Sequence, residues 1–243
     1  MGNVLIAFHI LAEGEDPPMN LKELGVHLIF DIKMDLTRKA RLVAEGHNTP
    51  SLEGSTYAGV VSRETVQIAM TYAALLGLDL MAADILNAYL TAPMSENFYI
   101  VCGPEFGAEF EGRKAIVTRA LYGTKSAGRD FCDHLCDCMQ HMGYMSCKVD
   151  PDLWMRKGKR DNGREYYEYM LLYADDCLCV SEHPKESLDK LGKYFTLKPG
   201  SVGPPKIYLG AKISKALLPN GVEVYAMSAR QYIQERVKNI IVS

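Results

Sequence analysis

The sequence predicts an α+β fold, and three observations carry that reading. Helical and strand periodicities alternate through the middle of the chain: helix 63–76, strand 79–85, helix 127–142, strands 153–156 and 167–180, and helix 184–195. Several of the strands are joined as hairpins, so the sheet is antiparallel and small, with helices expected on one face. The chain has 243 residues, 48% hydrophobic and 23% charged, enough to bury a sizeable core as one large domain or two small ones. No apolar run approaches the ~20 residues that span a bilayer, and Met1 to Ile10 lacks the basic start of a signal peptide. The seven cysteines are scattered without framework spacing, the usage of a reducing compartment. A formal net charge of −3 argues mildly against a nucleic-acid partner, unless bound divalent cations supply the positive field.

Residues 1–24, with Pro17, Pro18 and an acidic stretch, are expected to be a loosely packed lead-in. Gly25 to Met34 alternates as a strand, with Val26, Leu28, Phe30 and Ile32 on one face. Arg38 to Ala44 returns as a second strand with a basic start, so the pair is a hairpin with one cationic end. Ser62 is a helix N-cap, and Val66, Ile68, Ala69, Tyr72, Ala73 and Leu76 give that helix a broad apolar face up to Gly77. Leu78 to Leu90 reads as a buried strand interrupted by Asp84 and running into a turn or short helix; Asp79 lies on the opposite face from Asp84.

Phe98 to Val101 and Ala115 to Thr118 are short strands. A loop at 120–129 leads into a helix on which Phe131, Leu135, Cys138, Met139 and Met142 recur at helical spacing. Cys132, Cys136, Cys138, His134 and His141 share that helix. With no second half of a zinc site at matching spacing, they read as part of its packing. Asp150-Pro151-Asp152 turns the chain into strand 153–156, and Lys157 to Glu165 is a polar hairpin loop. Beyond the central strands come helix 184–195, a Gly/Pro loop at 199–205, and strands 206–214 and 222–227 joined across Asn220-Gly221. Ser228 caps a last helix.

The stretch that organises the chain is Leu171-Leu172-Tyr173-Ala174-Asp175-Asp176-Cys177-Leu178-Cys179-Val180. An unpaired carboxylate in a low-dielectric interior costs several kcal/mol and is usually met by a cation or a metal. A hairpin of strands 167–173 and 177–181 puts the two acids at a tight turn. A merely solvated Asp-Asp turn is the plainer reading. Against it stands Asp84, which ends another apolar strand. Neighbouring central strands would bring three carboxylates together, the donor set of a two-metal phosphoryl-transfer site with ions roughly 3.5–4 Å apart.

These residues carry a resemblance. Tyr173-Ala174-Asp175-Asp176 is similar to the Tyr-x-Asp-Asp box of reverse transcriptases, and Asp84-Ile85-Leu86-Asn87-Ala88-Tyr89-Leu90 to their first catalytic box. With Lys39-Ala40-Arg41-Leu42-Val43-Ala44, Leu121-Tyr122-Gly123, Lys125, Arg129, Asp150-Pro151 and Tyr208-Leu209-Gly210 in order, residues 25–241 resemble the copia-type reverse transcriptase of long-terminal-repeat retrotransposons. The resemblance implies a right-hand polymerase with fingers and a ferredoxin-like palm over 25–228, a primer-holding hairpin at about 206–227, and the truncated start of a thumb at 229–243.

It further implies an RNA-directed DNA polymerase that adds deoxynucleotides to a DNA or RNA primer on an RNA template with two Mg2+ ions, for which Mn2+ can substitute. Asp84, Asp175 and Asp176 would be the catalytic, metal-holding acids. Tyr89 would stack under the incoming sugar and exclude a 2′-hydroxyl. Lys39 or Arg41 would hold the triphosphate, Gly123 and Lys125 would line nucleotide and template, and Lys198 would donate a proton to pyrophosphate. Tyr208, Leu209 and Gly210 would belong to the primer-holding hairpin. Integrase and ribonuclease H would lie elsewhere in the polyprotein, with no membrane partner, and the site of action would be the cytoplasm, in a virus-like particle, or the nucleus.

Two other readings stand beside it. Ser126-Ala127-Gly128-Arg129 replaces the family's usual Gln-Ala-Pro before arginine, as in a degenerate element copy that keeps a palm-like RNA-binding module without catalysis. A nucleotide cyclase also pairs acids on a hairpin, but has no need of the Leu-Tyr-Gly and Tyr-Leu-Gly boxes.

Overall fold

A computed structural model of the chain describes residues 5–32, 36–49, 56, 58–230, 233, 234 and 237. The chain forms two compact units, Met1–Ala58 with Asn87–Cys136, and Gly59–Leu86 with Asp137–Ser243. The first opens with β1 (Phe8–Ile10), β2 (Lys22–Glu23), β3 (Val26–Ile32) and β4 (Arg38–Ala44). The second opens with α1 (Arg63–Leu76) and β5 (Asp79–Asp84). The first unit resumes with α2 (Ala88–Thr91), β6 (Phe98–Val101), β7 (Lys114–Val117) and the start of α3 (Ala127–His141). The second is completed by β8 (Met145–Ser146), β9 (Leu153–Lys159), β10 (Glu165–Tyr173), β11 (Asp176–Ser181) and α4 (Pro184–Leu191), then β12 (Ile207–Tyr208), β13 (Ala211–Leu217) and β14 (Glu223–Ser228). The fold is mixed α+β, as expected. No helix of the described residues is long and apolar enough to cross a membrane.

In the first unit a four-stranded sheet, ordered β1-β7-β6-β2, covers a core that includes Phe8, Leu24, Phe98, Ile100, Phe106, Ala115 and Leu121. The lead-in is therefore not loosely packed throughout. Phe8–Ile10 pairs with β7, and Ala7, Phe8, Leu11 and Leu24 are buried, because Ala7, Phe8 and Leu24 join the apolar core of this unit. The hairpin β3–β4 forms a separate two-stranded ladder from Val26↔Ala44 to Ile32↔Arg38. Its base is held by Leu42 and Ala44 in the core. Farther out, the expected apolar face is open to solvent: Phe30 is 76% exposed and Ile32 65%. The alternation was real, but a two-stranded ribbon without a covering layer has nothing to bury that face against.

In the second unit Ser62 caps α1 by accepting from the Thr65 N–H, and Gly77 ends the helix in the left-handed conformation at φ 60°. The buried face is Val66, Ala69, Met70 and Ala73; Ile68, placed on that face from the sequence, is exposed. The central sheet runs β5-β11-β10-β9-β8 with antiparallel pairing throughout. Cys177, Leu178, Cys179 and Val180 are fully buried, so β11 has cover on both sides. Leu178 and Val180 pack with α1 in the core, while Cys179, on the opposite face, bonds to Ser187 of α4. This corrects the expectation of helices on one face. A continuous apolar strand needs two covering layers, where an alternating one needs a single layer.

Two strand limits also move. Strand 153–156 continues to Lys159, because Lys157 and Lys159 keep their ladder bonds to β10. Strand 206–214 is broken by a turn at Leu209-Gly210, and only β13 pairs with β14. The expected last helix and thumb start lie mostly outside the described residues. On α3, Cys138 is buried and Cys132 Sγ lies 4.0 Å from Cys136 Sγ, packing without a metal-ligand cluster among the described residues.

Candidate active site

The two acids of the central stretch enter through a two-residue turn. Tyr173 and Asp176 close the β10–β11 ladder, and Ala174-Asp175 connects them. Ala174 sits at φ 51°, a left-handed conformation that costs a residue with a β-carbon about 1 kcal/mol. The surrounding sheet holds it there. The Ile85 N–H donates to the Asp175 carbonyl at 2.8 Å, tying the turn to the end of β5. One position in, Asp176 stands directly opposite Asp84 across the β11–β5 ladder. Opposed residues of neighbouring strands project from the same face of a sheet, and like charges so placed repel.

The structure therefore brings Asp84, Asp175 and Asp176 to one end of one sheet. Asp79, at the other end of β5, pairs with Ser181 and lies 3.6 Å from Lys215, outside this group.

The electrostatics follow from that placement. Asp176 keeps solvent access, yet the protein packed around it withdraws water from its inner side. That loss of hydration, then the charges of Asp175 and Asp84, push its carboxyl up to about 6. Lys198 opposes the shift: its ammonium lies 2.5 Å from Asp84 Oδ2, and the Asp84 carboxylate raises the lysine above its ordinary range.

The three carboxylates are not gathered into one chelating cage. Among the described residues, the only three potential ligand atoms found together, within 4.8 Å of one another, belong to Asp161, Glu182 and His183. Hydrogen bonds within that surface group account for it, His183 Nε2 to Asp161 Oδ1 at 3.1 Å and the Asp161 N–H to Glu182 Oε2 at 3.1 Å. At the sheet end, by contrast, hard oxygen donors with an excess of negative charge fit a divalent cation such as magnesium.

Sequence reasoning assigned no role to Ser201. Its Oγ accepts the Asp84 N–H at 3.1 Å, and the Lys198 N–H donates to the Asp84 carbonyl at 2.8 Å. The signal that could have found this is the turn-forming Pro199-Gly200 beside Lys198 and Ser201.

Tyr208-Leu209-Gly210 lies in the same unit. Leu209 (φ 50°) and Gly210 (φ 71°) make the tight turn between β12 and β13, and Tyr208 is buried with its hydroxyl on the Leu171 carbonyl at 3.3 Å. Leu209 and Gly210 line a cleft of about 410 Å3 with Tyr173, Val61, Arg63 and Met227, so this turn stands beside the acid hairpin.

The remaining candidates belong to the first unit. Lys39 and Arg41 share one face of β4, and Arg38 points the other way. Arg41 lies 3.7 Å from Asp31, which is itself opposite Lys39. Gly123 sits at φ 92°, and a β-carbon there would come within 2.2 Å of the Ala44 carbonyl oxygen. Only glycine lets the loop approach β4 so closely. The Ala44 N–H donates to the Tyr122 carbonyl at 2.7 Å, sealing the contact. Lys125 donates to the Thr49 carbonyl at 2.6 Å. Tyr89 is half-buried, with its ring 4.8 Å from that of Tyr122 and 6.0 Å from that of Phe131. Tyr122, quoted only as part of a box, thus links Tyr89 to the base of the basic hairpin.

Comparison with known proteins identifies the family of the chain. The family model described as reverse transcriptase (RNA-dependent DNA polymerase) matches residues 14–242. The retrovirus-related Pol polyprotein from transposon RE1 of Arabidopsis thaliana is 27% identical over 229 residues, 89% of this chain and 15% of the relative. That from transposon TNT 1-94 of Nicotiana tabacum is 29% identical over 210 residues, 81% of this chain and 15% of the relative. That from transposon RE2 of Arabidopsis thaliana is 28% identical over 193 residues, 75% of this chain and 13% of the relative. The chain spans about 15% of the length of the first curated relatives it matches.

Proposed function

The chain belongs to the reverse transcriptase (RNA-dependent DNA polymerase) family, of the copia type, and from that premise we propose that it is the fingers and palm of a retrotransposon polymerase that adds deoxynucleotides to a primer on an RNA template. The single observation that carries this is the opposition of Asp84 and Asp176 on neighbouring strands, with Asp175 in the adjoining turn. Two magnesium ions held by Asp84, Asp175 and Asp176 would supply Lewis-acid activation of the primer hydroxyl and charge neutralisation at the leaving pyrophosphate.

This chain's own residues do the rest. The β5–β11 ladder holds the carboxylates at fixed separation. The Leu209-Gly210 turn, beside Tyr173, suits contact with the primer strand. In the first unit, Arg41 and Lys39 offer cationic hydrogen bonds to a triphosphate, Lys125 and Gly123 line the nucleotide and template, and Tyr89, braced by Tyr122, presents a ring that collides with a 2′-hydroxyl. Integrase and ribonuclease H elsewhere in the polyprotein, and action in the cytoplasm within a particle or in the nucleus, belong to the same proposal.

The test is extension of a DNA primer on an RNA template with deoxynucleotides and magnesium. Templated extension is expected. If the chain binds template-primer without extending it, the second reading takes over, a palm-like module that binds RNA without catalysis.

A further inference from the structure

We propose that Lys198 is the resident counter-ion of Asp84, delivered by a bulged strap of backbone and displaced when a divalent cation binds. The inference rests on the reading of the acids as a metal site and goes beyond it, since it assigns a competition to a side chain outside the carboxylate set.

The backbone sets the lysine in place. β11 occupies one edge of β5, and residues 196–203 occupy the other. They bridge to β5 at Ile85↔Leu197 and Ala82↔Gly203. Between those bridges β5 has only residues 83 and 84, while the strap has 198–202, and the excess must bulge away from the ladder. Gly200, at φ 76°, turns the bulge, and the Ser201 N–H and Oγ both donate to the Lys198 carbonyl, at 3.0 and 2.8 Å. With Lys198 N–H on the Asp84 carbonyl and the Asp84 N–H on Ser201 Oγ, the lysine backbone is pinned beside Asp84.

The side chain is held less firmly. It is 45% exposed, and an ammonium on a four-carbon stem can swing into water without disturbing the strap. An ammonium carries one charge against three carboxylates, so it neutralises Asp84 and leaves Asp175 and Asp176 to repel. The ammonium at 2.5 Å takes up one lone pair of Asp84 Oδ2, so a cation must share that carboxylate with it or turn it out, and the two compete. The competition also carries a charge term, because a lysine left in place repels the incoming ion.

The experiment is a Mn2+ titration of the full 243-residue chain without nucleotide or template, with free Mn2+ read by electron paramagnetic resonance. Lys198→Met is expected to bind Mn2+ about fivefold more tightly than wild type, the scale of a half-exposed ion pair. Lys198→Gln should shift in the same direction, and Lys198→Arg, which keeps the charge, should stay near wild type. In an Asp84→Asn background the gain from Lys198→Met should shrink, because only the repulsion between the ammonium and the ion remains to be relieved. Melting in chelator confirms that each variant is folded. Unchanged or weaker Mn2+ binding by both Lys198→Met and Lys198→Gln, while Asp175→Asn still abolishes binding, overturns the counter-ion and leaves the metal site standing. If wild type and Lys198→Met bind no Mn2+ that Asp175→Asn removes, the metal-site reading falls and the counter-ion falls with it.

Discussion

Two hairpins carry the opposite charges of this chain, and they differ in what stands behind them. The acid hairpin β10–β11 is flanked by β9 and β5, and Leu171, Leu178 and Val180 are fully buried. Each such side chain contributes about 1.5–3 kcal/mol of burial, so the turn that presents Asp175 and Asp176 is fixed by the core beneath it. Among the described residues the basic hairpin β3–β4 has no third strand, and Leu28, Ile29, Phe30 and Ile32 face water. Its order is concentrated at the base, where Ala44 meets Tyr122 and Gly123. A ladder of hydrogen bonds defines register in both, but only burial defines position. The acid hairpin presents its charges from a buried frame; the basic one leaves its strands open to solvent, the setting in which the proposed contact of Lys39 and Arg41 with a nucleotide would be made.

The sharpest way to break that contrast is at the acids. Asp175→Asn should lower primer extension at least about a hundredfold, the scale for removing one preorganised charge from a reaction centre, while melting in chelator stays near wild type because the core is untouched. Next in size is the base of the basic hairpin. Gly123→Ala meets both a positive φ and the Ala44 carbonyl, and should cost about 3 kcal/mol in urea denaturation. A loss below about 0.5 kcal/mol would mean that the contact is not what anchors β4.

A smaller effect separates the faces of β4. Lys39→Ala and Arg41→Ala should each raise the Michaelis constant for nucleotide about tenfold, through lost charge-assisted hydrogen bonds. Arg38→Ala should not. Damage from Arg38→Ala instead would place the ligand on the other face. The smallest effect is in pH. The folded-state pKa of Asp176 is raised to about 6 from the ordinary 3.8, chiefly by lost hydration, so the folded protein holds that proton where the unfolded chain releases it. In chelator, stability should therefore fall as pH rises from about 4 through 6, and Asp176→Asn should flatten that part of the profile.

Both hairpins were legible in the sequence, and for the same reason: alternation and turn residues set strands locally. Ser62, Gly77 and the limits of α1 were legible because caps are local chemistry. What the sequence did not disclose was cover. The alternation of Val26, Leu28, Phe30 and Ile32 looks like that of any half-buried strand, and whether a layer lies on it depends on chain far away. The unbroken run Cys177 to Val180 did carry the opposite message, two covered faces; reading it as a flank of a one-faced sheet foresaw the helix from Pro184 but not that it covers the second face. At the site, the acids stood out as charges in apolar strands, while Lys198 entered only through the resemblance. Ser201 and the bulged strap were not, because a serine that holds a backbone N–H looks like any loop serine until the ladder is drawn.

The central claim is that Asp84, Asp175 and Asp176 form one site short of positive charge. The most direct measurement is the melting temperature of the chain with and without millimolar magnesium, in wild type and in Asp175→Asn. A cation that binds only the folded state raises the melting temperature by mass action. Wild type should gain several degrees on adding magnesium, and Asp175→Asn should gain little or nothing. Equal gains in the two proteins, or none in wild type, would contradict the account.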